Sequence, residues 1–355
     1  RPTVGDNTYS TIDSIQVAPY QPVGNPDYNT SNYRAYESIF AYYLQGKTTL
    51  GKLSVLTGAR LEVTEQSNRH NIGTFPGFTA HYFNYSDILP SLHLNYRLSP
   101  IQNLRLSAFK SISRPGYYEI VDYTIKGNQV NQKGNPDLQR AVAVSYDLRY
   151  ELFPDPEEVF MVGLFYKEIT NPIELRLLDN GGQPTIQPWN PPGIATNYGF
   201  EFNATKYLGN LGFSGNFTYI NSSITTPKLV YKTTNGVTDY SYVNETRPMQ
   251  GQSQLVANAS VLYRNASKGF NMKLSLLFQG KRINQVSFYS KLDFYQSNYP
   301  TLAFSIEKKL GKKFLLAGKF NNLLNTPYKL TTRTGYFIQE TISGQEYLIG
   351  VTYTM

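Results

Sequence analysis

Apolar and polar residues alternate with a period of two along almost the whole chain. Phe270, Met272, Leu274, Leu276 and Phe278 mark one side of a segment whose intervening positions are mostly polar. Leu92, Leu94, Tyr96 and Leu98 stand opposite Ser91, His93, Asn95 and Arg97, and Leu53, Val55, Ala59, Leu61 and Val63 stand opposite Lys52, Ser54, Arg60 and Glu62. Near the end Tyr347, Ile349, Val351 and Tyr353 repeat the pattern. Successive side chains leave a strand on opposite sides, so this period predicts half-buried strands. No run approaches the ~18 uninterrupted apolar residues of a spanning helix. The chain reads as all-β.

Turn chemistry divides the pattern. Short connections are expected around Leu50-Gly51, Ser99-Pro100-Ile101-Gln102, Pro154-Asp155-Pro156, Gly209-Asn210, Ala266-Ser267-Lys268 and Gly311-Lys312. There Gly, Pro, Asn, Asp or Ser supply the dihedrals of a tight turn. Long polar stretches lie between them, at 20–34, 66–82, 115–136, 175–193, 228–248, 285–298 and 325–344. Six short turns alternating with seven long loops predict 14 strands. They centre on 8–19, 35–48, 51–65, 83–98, 103–114, 138–153, 157–174, 195–208, 211–227, 250–265, 269–284, 299–310, 313–324 and 345–354.

Many of these strands exceed the ~5–6 residues common in soluble sheets. A soluble sandwich would alternate too, but would not sort its connections by length. In lipid every backbone N–H and C=O must be paired within the protein, so a spanning sheet closes, apolar outside and polar inside. The expected fold is a transmembrane antiparallel β-barrel with short periplasmic turns and long extracellular loops.

Composition sharpens this picture. Tyr 30 and Phe 20 supply nearly all of the 14% aromatic content, which suits the amphipathic girdles at a membrane interface. The net charge of +8 comes from scattered Lys and Arg, which argues against a nucleic-acid stripe and is compatible with lipopolysaccharide or acidic ligands. With Cys 0, disulfides, thiol chemistry and a zinc ribbon are excluded.

Candidate chemistry is sparse. His70 and His81 fall in the stretch 66–82, while His93 is expected on the inner face with Arg97. Three dispersed histidines make no converging ligand set for a metal or haem. No Ser–His–acid arrangement and no phosphate loop is visible, and Asp155, Glu157 and Glu158 flank a short turn, where solvation is the default. No enzyme, cofactor or metal is expected. Ligand contact is sought in the long loops. Trp189, stiffened by Pro188, Pro191 and Pro192, either offers an aromatic platform or packs between neighbouring loops. Tyr117, Tyr118, Tyr123, Tyr240 and Tyr242 are further candidates.

Five segments in order resemble TonB-dependent outer-membrane receptors. Phe109 to Glu119, with Ser113-Arg114-Pro115, is similar to their "S-x-SRP-x-Y-x-E". Gly134-Asn135-Pro136-Asp137-Leu138 is similar to "GNPxL", Leu164 to Ile173 to "xFYKxIxNxI", Asn197 to Glu201 to "NxGxE", and Asn322 to Tyr328, with Asn325, to "NLFNxxY". The Tyr- and Asn-rich style resembles receptors of the Bacteroidota.

The resemblance implies a barrel of roughly 22 strands plugged by an N-terminal domain. Residues 1–355 would then be the C-terminal portion, with the plug and first strands outside this chain. The family commonly ends in an aromatic residue, whereas this chain ends Tyr353-Thr354-Met355. The implied activity is TonB-energised import of a scarce nutrient of the siderophore, haem, glycan, peptide or cobalamin class. The implied setting is the Gram-negative outer membrane, with lipid and lipopolysaccharide around the barrel, the TonB complex reached through the plug, and room for a surface lipoprotein partner. Physically, Ser113, Arg114, Pro115, Gly134, Asn135, Pro136, Asn322, Asn325 and Tyr328 read as structural, at strand ends and re-entries. A free-standing 14-stranded passive channel is the alternative; an outer-membrane lipase or protease barrel lacks a visible catalytic set.

Overall fold

The computed structural model describes residues 11–12, 15–16, 33–71, 78–179, 181–235 and 237–354. Among them no helix is long and apolar enough to cross a membrane. Thirteen strands form an up-and-down antiparallel meander: β1 (Tyr33–Leu50), β2 (Leu53–Asn71), β3 (Phe78–Ser99), β4 (Gln102–Ser113), β5 (Ala141–Leu152), β6 (Val159–Thr170) and β7 (Ile194–Leu208). It continues through β8 (Leu211–Thr234), β9 (Leu255–Asn265), β10 (Phe270–Gln279), β11 (Tyr299–Leu310), β12 (Phe314–Asn321) and β13 (Glu346–Tyr353). Each strand pairs with its neighbours in sequence, so β1 and β13 are the two ends of the sheet.

The register explains the alternation. One row runs across the sheet through Leu94, Leu106, Leu148, Leu164, Phe200, Tyr219 and Leu255, each paired with the next. All are apolar or aromatic, and Leu164 is 56% exposed. The next row runs Asn95, Arg105, Arg149, Gly163, Glu201 and Thr218 on the opposite face. Side chains one residue apart emerge on opposite faces, so an apolar row must lie beside a polar one. The greasy face of this wall faces outward.

All six short turns lie where expected. Gly51 and Gly209 hold φ of 61°, the left-handed region that two-residue hairpins require and that costs glycine nothing. The longer connections depart from expectation. The stretch 66–82 is mostly strand, since β2 runs to Asn71 and β3 starts at Phe78, pairing Tyr33 with His70 and Asn68 with His81. His70 and His81 therefore sit in strands rather than in a loop. The expected strand at 8–19 falls largely outside the described residues; within it Thr11–Ile12 pairs with Ile15–Gln16. The strand expected over 269–284 breaks at Gly280, whose N–H turns to the Leu255 carbonyl, and Arg282–Ser287 joins a different sheet.

That second sheet is the main addition. Eight short strands drawn from four connections align in the order Phe337–Thr341, Tyr328–Thr332, Phe294–Gln296, Arg282–Ser287, Glu174–Leu178, Thr185–Trp189, Asn131–Lys133 and Thr124–Ile125. The stretch 228–248 is a hairpin arm in which Ile224 to Thr234 of β8 pairs with Val237–Arg247. Leu229 of the arm exchanges backbone hydrogen bonds with Phe288 and Ser290 (3.0 Å each), while Phe288 N–H reaches Leu177 O. Loops and arm thus form one cap at the end of the wall opposite the short turns. Its core holds buried Ile120, Val121, Leu138, Ile224, Ile283, Val286 and Leu330.

Candidate ligand-binding site

The inner face of the first strands is polar and buried at Glu62, Thr64, Gln66, Asn68 and Asp87. Pro115 stops β4 by removing a donor, and Arg114 turns across this face. Its guanidinium donates to Glu62 Oε2 at 2.5 Å and Thr64 Oγ1 at 2.8 Å. Arg140 donates twice to Asp87, at 2.6 and 2.7 Å, and stacks 4.3 Å from the centre of the Tyr85 ring. Glu119 closes the intervening turn by accepting the Gly116 N–H at 2.6 Å, and Asn68 Nδ2 donates to Ile120 O at 3.0 Å. A Cβ at Gly134 would lie 1.9 Å from Val121 O, so only glycine lets these backbones meet. The Asn135 amide bridges onward to Pro188 O at 3.0 Å. These contacts tie two cap loops to the wall.

Buried ion pairs hold the rest of the cap. Arg247 donates to both oxygens of Glu174, at 3.1 and 2.5 Å, with both side chains at most 2% exposed. Lys228 donates to Asp293 Oδ1 at 2.6 Å and to the Ser287 carbonyl, and Asp293 also accepts the Ser287 N–H at 2.8 Å. Burial pulls the Lys228 ammonium below its ordinary pKa, against the opposing pull of Asp293. Arg333 donates to Glu245 at 2.6 Å. Burial raises the Glu245 carboxyl, but the Ser290 hydroxyl, the Lys291 N–H and the Lys228 and Arg333 charges outweigh it and leave its pKa below the usual value.

Beneath these pairs lies a cavity of about 300 Å³ where cap meets wall. Lys281, Arg282 and Arg333 contribute its cations, and Asn221, Gln252 and Gln254 its amides. Lys281 Nζ lies 4.5 Å from the Tyr295 ring centre, and Arg282 Nε donates to Gln296 at 2.7 Å. Ile220 and Gln252 also line a second hollow of about 230 Å³ on the inner face, shared with Asp147, Lys167 and Glu201. Through these two shared residues the cavity borders the polar side of the wall.

Residues 2–323 match the family model described as TonB dependent receptor-like, beta-barrel. The chain belongs to that family. Among proteins of curated function none matches this sequence. Solved structures show the same fold. The siderophore receptor PiuA from Acinetobacter baumannii matches with a TM-score of 0.65 at 14% identity, over 90% of this chain and 44% of that one. The ferric-catecholate import receptor Fiu from K12 E. coli matches at 0.64 and 13%, over 91% and 45%. A mutant ferric enterobactin receptor (PfeA) from Pseudomonas aeruginosa matches at 0.55 and 15%, over 90% and 54%. The chain spans about half the length of these proteins. TonB-dependent receptors are a receptor and transporter family, not an enzymatic one, and are outer-membrane β-barrels of Gram-negative bacteria.

Within this receptor barrel the residues singled out from sequence take distinct places. Trp189 is half-buried, with the Arg176 guanidinium 4.7 Å from its ring centre, so it packs within the cap sheet rather than standing open. Tyr117 and Tyr118 are exposed near the start of β1, where the Tyr117 hydroxyl lies 3.4 Å from Glu37, and Tyr123 is half-buried beside them. Tyr240 and Tyr242 are more than 60% exposed on the arm and are not among the residues that line the cation cavity. His93 and Arg97 lie on the Asp87 side of β3, and the His93 ring stacks 6.3 Å from Phe109. Among the described residues no cluster of three metal-ligating side chains occurs.

The motif residues stand at strand ends and in turns. Ser113 ends β4 opposite Ala141, and Asn322 and Asn325 hold φ of 52° and 47° in the turn after β12. Asn322 also donates to Gly344 O at 2.7 Å, and the Tyr328 hydroxyl accepts from Asn284 at 3.0 Å. Pro136 follows the Asn135 bridge. The residues that sequence reasoning missed are Lys281, Arg282, Arg333, Gln252 and Gln254. A basic pair directly after Gly280, where the alternation stops, was the available signal.

Proposed function

We propose that this chain is the C-terminal wall and cap of a receptor in the outer membrane of a Gram-negative bacterium. It captures a scarce extracellular nutrient and passes it to the periplasm with energy relayed by TonB. The observation that carries this reading is the cation- and amide-lined cavity where cap meets wall, bordering a polar inner face. The family match supports the transport role. The outward apolar rows support contact with lipid and lipopolysaccharide. Among the described residues the outer edges of β1 and β13 are unpaired, and in a membrane they require partners, because exposed N–H and C=O groups are too costly in hydrocarbon. Further strands of the same polypeptide, preceded by a plug, supply them on this reading.

The test is uptake in cells carrying the intact gene. A radiolabelled nutrient pool should enter only with this receptor, and collapsing the inner-membrane proton gradient should abolish entry. Uptake unchanged by the uncoupler would sink the energised mechanism and leave a passive channel.

A further inference from the structure

The cation cavity has a chemistry that its wall residues narrow. Arg333 is balanced by Glu245, but Lys281 and Arg282 have no carboxylate partner among the described residues. Among those residues no carboxylate lines the cavity at all. Two cations without a carboxylate partner, exposed Lys281 and half-buried Arg282, beside one half-open hollow call for an anion, and a guanidinium pairs with carboxylate or sulfate through paired hydrogen bonds. The remaining polar wall is made of the Gln252 amide, the Asn221 and Gln254 amides, which already donate one N–H each to the Tyr198 and Tyr219 hydroxyls at 2.7 and 3.0 Å, and the Ser222 hydroxyl, which accepts the Met249 N–H at 2.7 Å. Each of these both donates and accepts, which is what a hydroxyl-bearing ligand needs. A site for flat aromatic ligands would present open ring faces. Here Tyr295, the one ring lining the cavity among the described residues, has the Lys281 ammonium over it.

We propose that the cavity binds an acidic oligosaccharide, with a sugar carboxylate or sulfate against Lys281 and Arg282 and the ring hydroxyls on the amides. This rests on the receptor reading and gives its substrate class. A volume of about 300 Å³ takes one acidic residue of such a chain, with the neighbouring residues leading toward the hollow at Gln252.

The experiment is calorimetric titration of the full-length receptor in detergent. The probes are a galacturonate tetramer, a sulfated galactan tetramer, a neutral galactose tetramer and a ferric catecholate complex. Saturable binding of one acidic tetramer, at least about tenfold tighter than the neutral one, is the expected result. It should weaken as salt screens the charges. The double variant K281Q/R282Q should lose about tenfold or more for the acidic tetramer and most of its salt dependence, with the heat-modifiable gel mobility of the barrel unchanged. Equal affinity for acidic and neutral tetramers, or an unaffected double variant, overturns the proposal. Binding of the ferric catecholate alone overturns it as well, while the receptor reading stands; proton-gradient-dependent uptake decides that reading separately.

Discussion

The wall and the cap are made of the same kind of strand but are held together in different ways. In the wall, large apolar side chains such as Leu106, Leu148 and Ile88 stand exposed, and cohesion comes from long ladders of backbone hydrogen bonds. In the cap, apart from the arm, strands of two to six residues make short ladders, and buried Ile283, Val286 and two buried ion pairs hold them. The wall is arranged for an apolar solvent and the cap for water. The difference teaches where each will fail. A charge added to the wall's outer face is harmful, whereas in the cap harm follows when a charge is left without its partner.

The largest expected effect is in the cap. Arg247→Ala strands the buried Glu174 carboxylate and should cost the cap about 3–5 kcal/mol. Limited proteolysis should cut the loops of this variant readily while the barrel keeps its heat-modifiable mobility. Joint loss of both would show that cap and wall are one cooperative unit. Next comes the wall. Leu274→Arg, on the outer face, should cost about 2–4 kcal/mol at the bilayer midplane, while Ser275→Arg on the inner face should be nearly silent. Equal effects in a denaturant titration of refolding in vesicles would refute the assignment of faces.

A smaller cost is expected at Gly199, where a Cβ would meet the Tyr219 carbonyl at 1.9 Å and the Phe165 ring at 2.9 Å. Gly199→Ala should destabilise the wall by about 1–3 kcal/mol through overpacking, and Phe165→Leu should recover only the part due to the ring. The smallest effect is the cap's pH response. Glu245 has a folded pKa below its unfolded one, so its contribution is full above the unfolded value and lost as pH falls through the folded value. Protease sensitivity of the arm should rise on acidification below the ordinary carboxylate range, and Glu245→Gln should flatten that rise. A rise of the same size in the variant would assign it to other groups.

The wall was legible in the sequence because a two-residue period has only two faces to choose between, and the short turns punctuate it with Gly51, Pro100, Gly209 and Gly311. The cap was not. Its strands, such as Phe294–Gln296 and Asn131–Lys133, are too short to show a period, and their partners lie far away in the chain. Trp189 drew attention as the only Trp, yet Arg176, thirteen positions earlier, covers it across a hairpin. Lys281 and Arg282 fell inside a segment read as strand, and only the break at Gly280 brings them under the cap.

One strand belongs to both regions. β8 runs without interruption from the Gly209 turn to Thr234, 24 residues in all. At roughly 3.3 Å per residue it measures about 80 Å, and at a tilt near 40° it climbs about 60 Å. The apolar band of such barrels is only about 25 Å tall. In the proposed setting the strand is a mast, and the arm at its head works well clear of the lipid surface. Whatever touches that head is joined to the periplasmic end by one continuous backbone, with no hinge between them to absorb a pull.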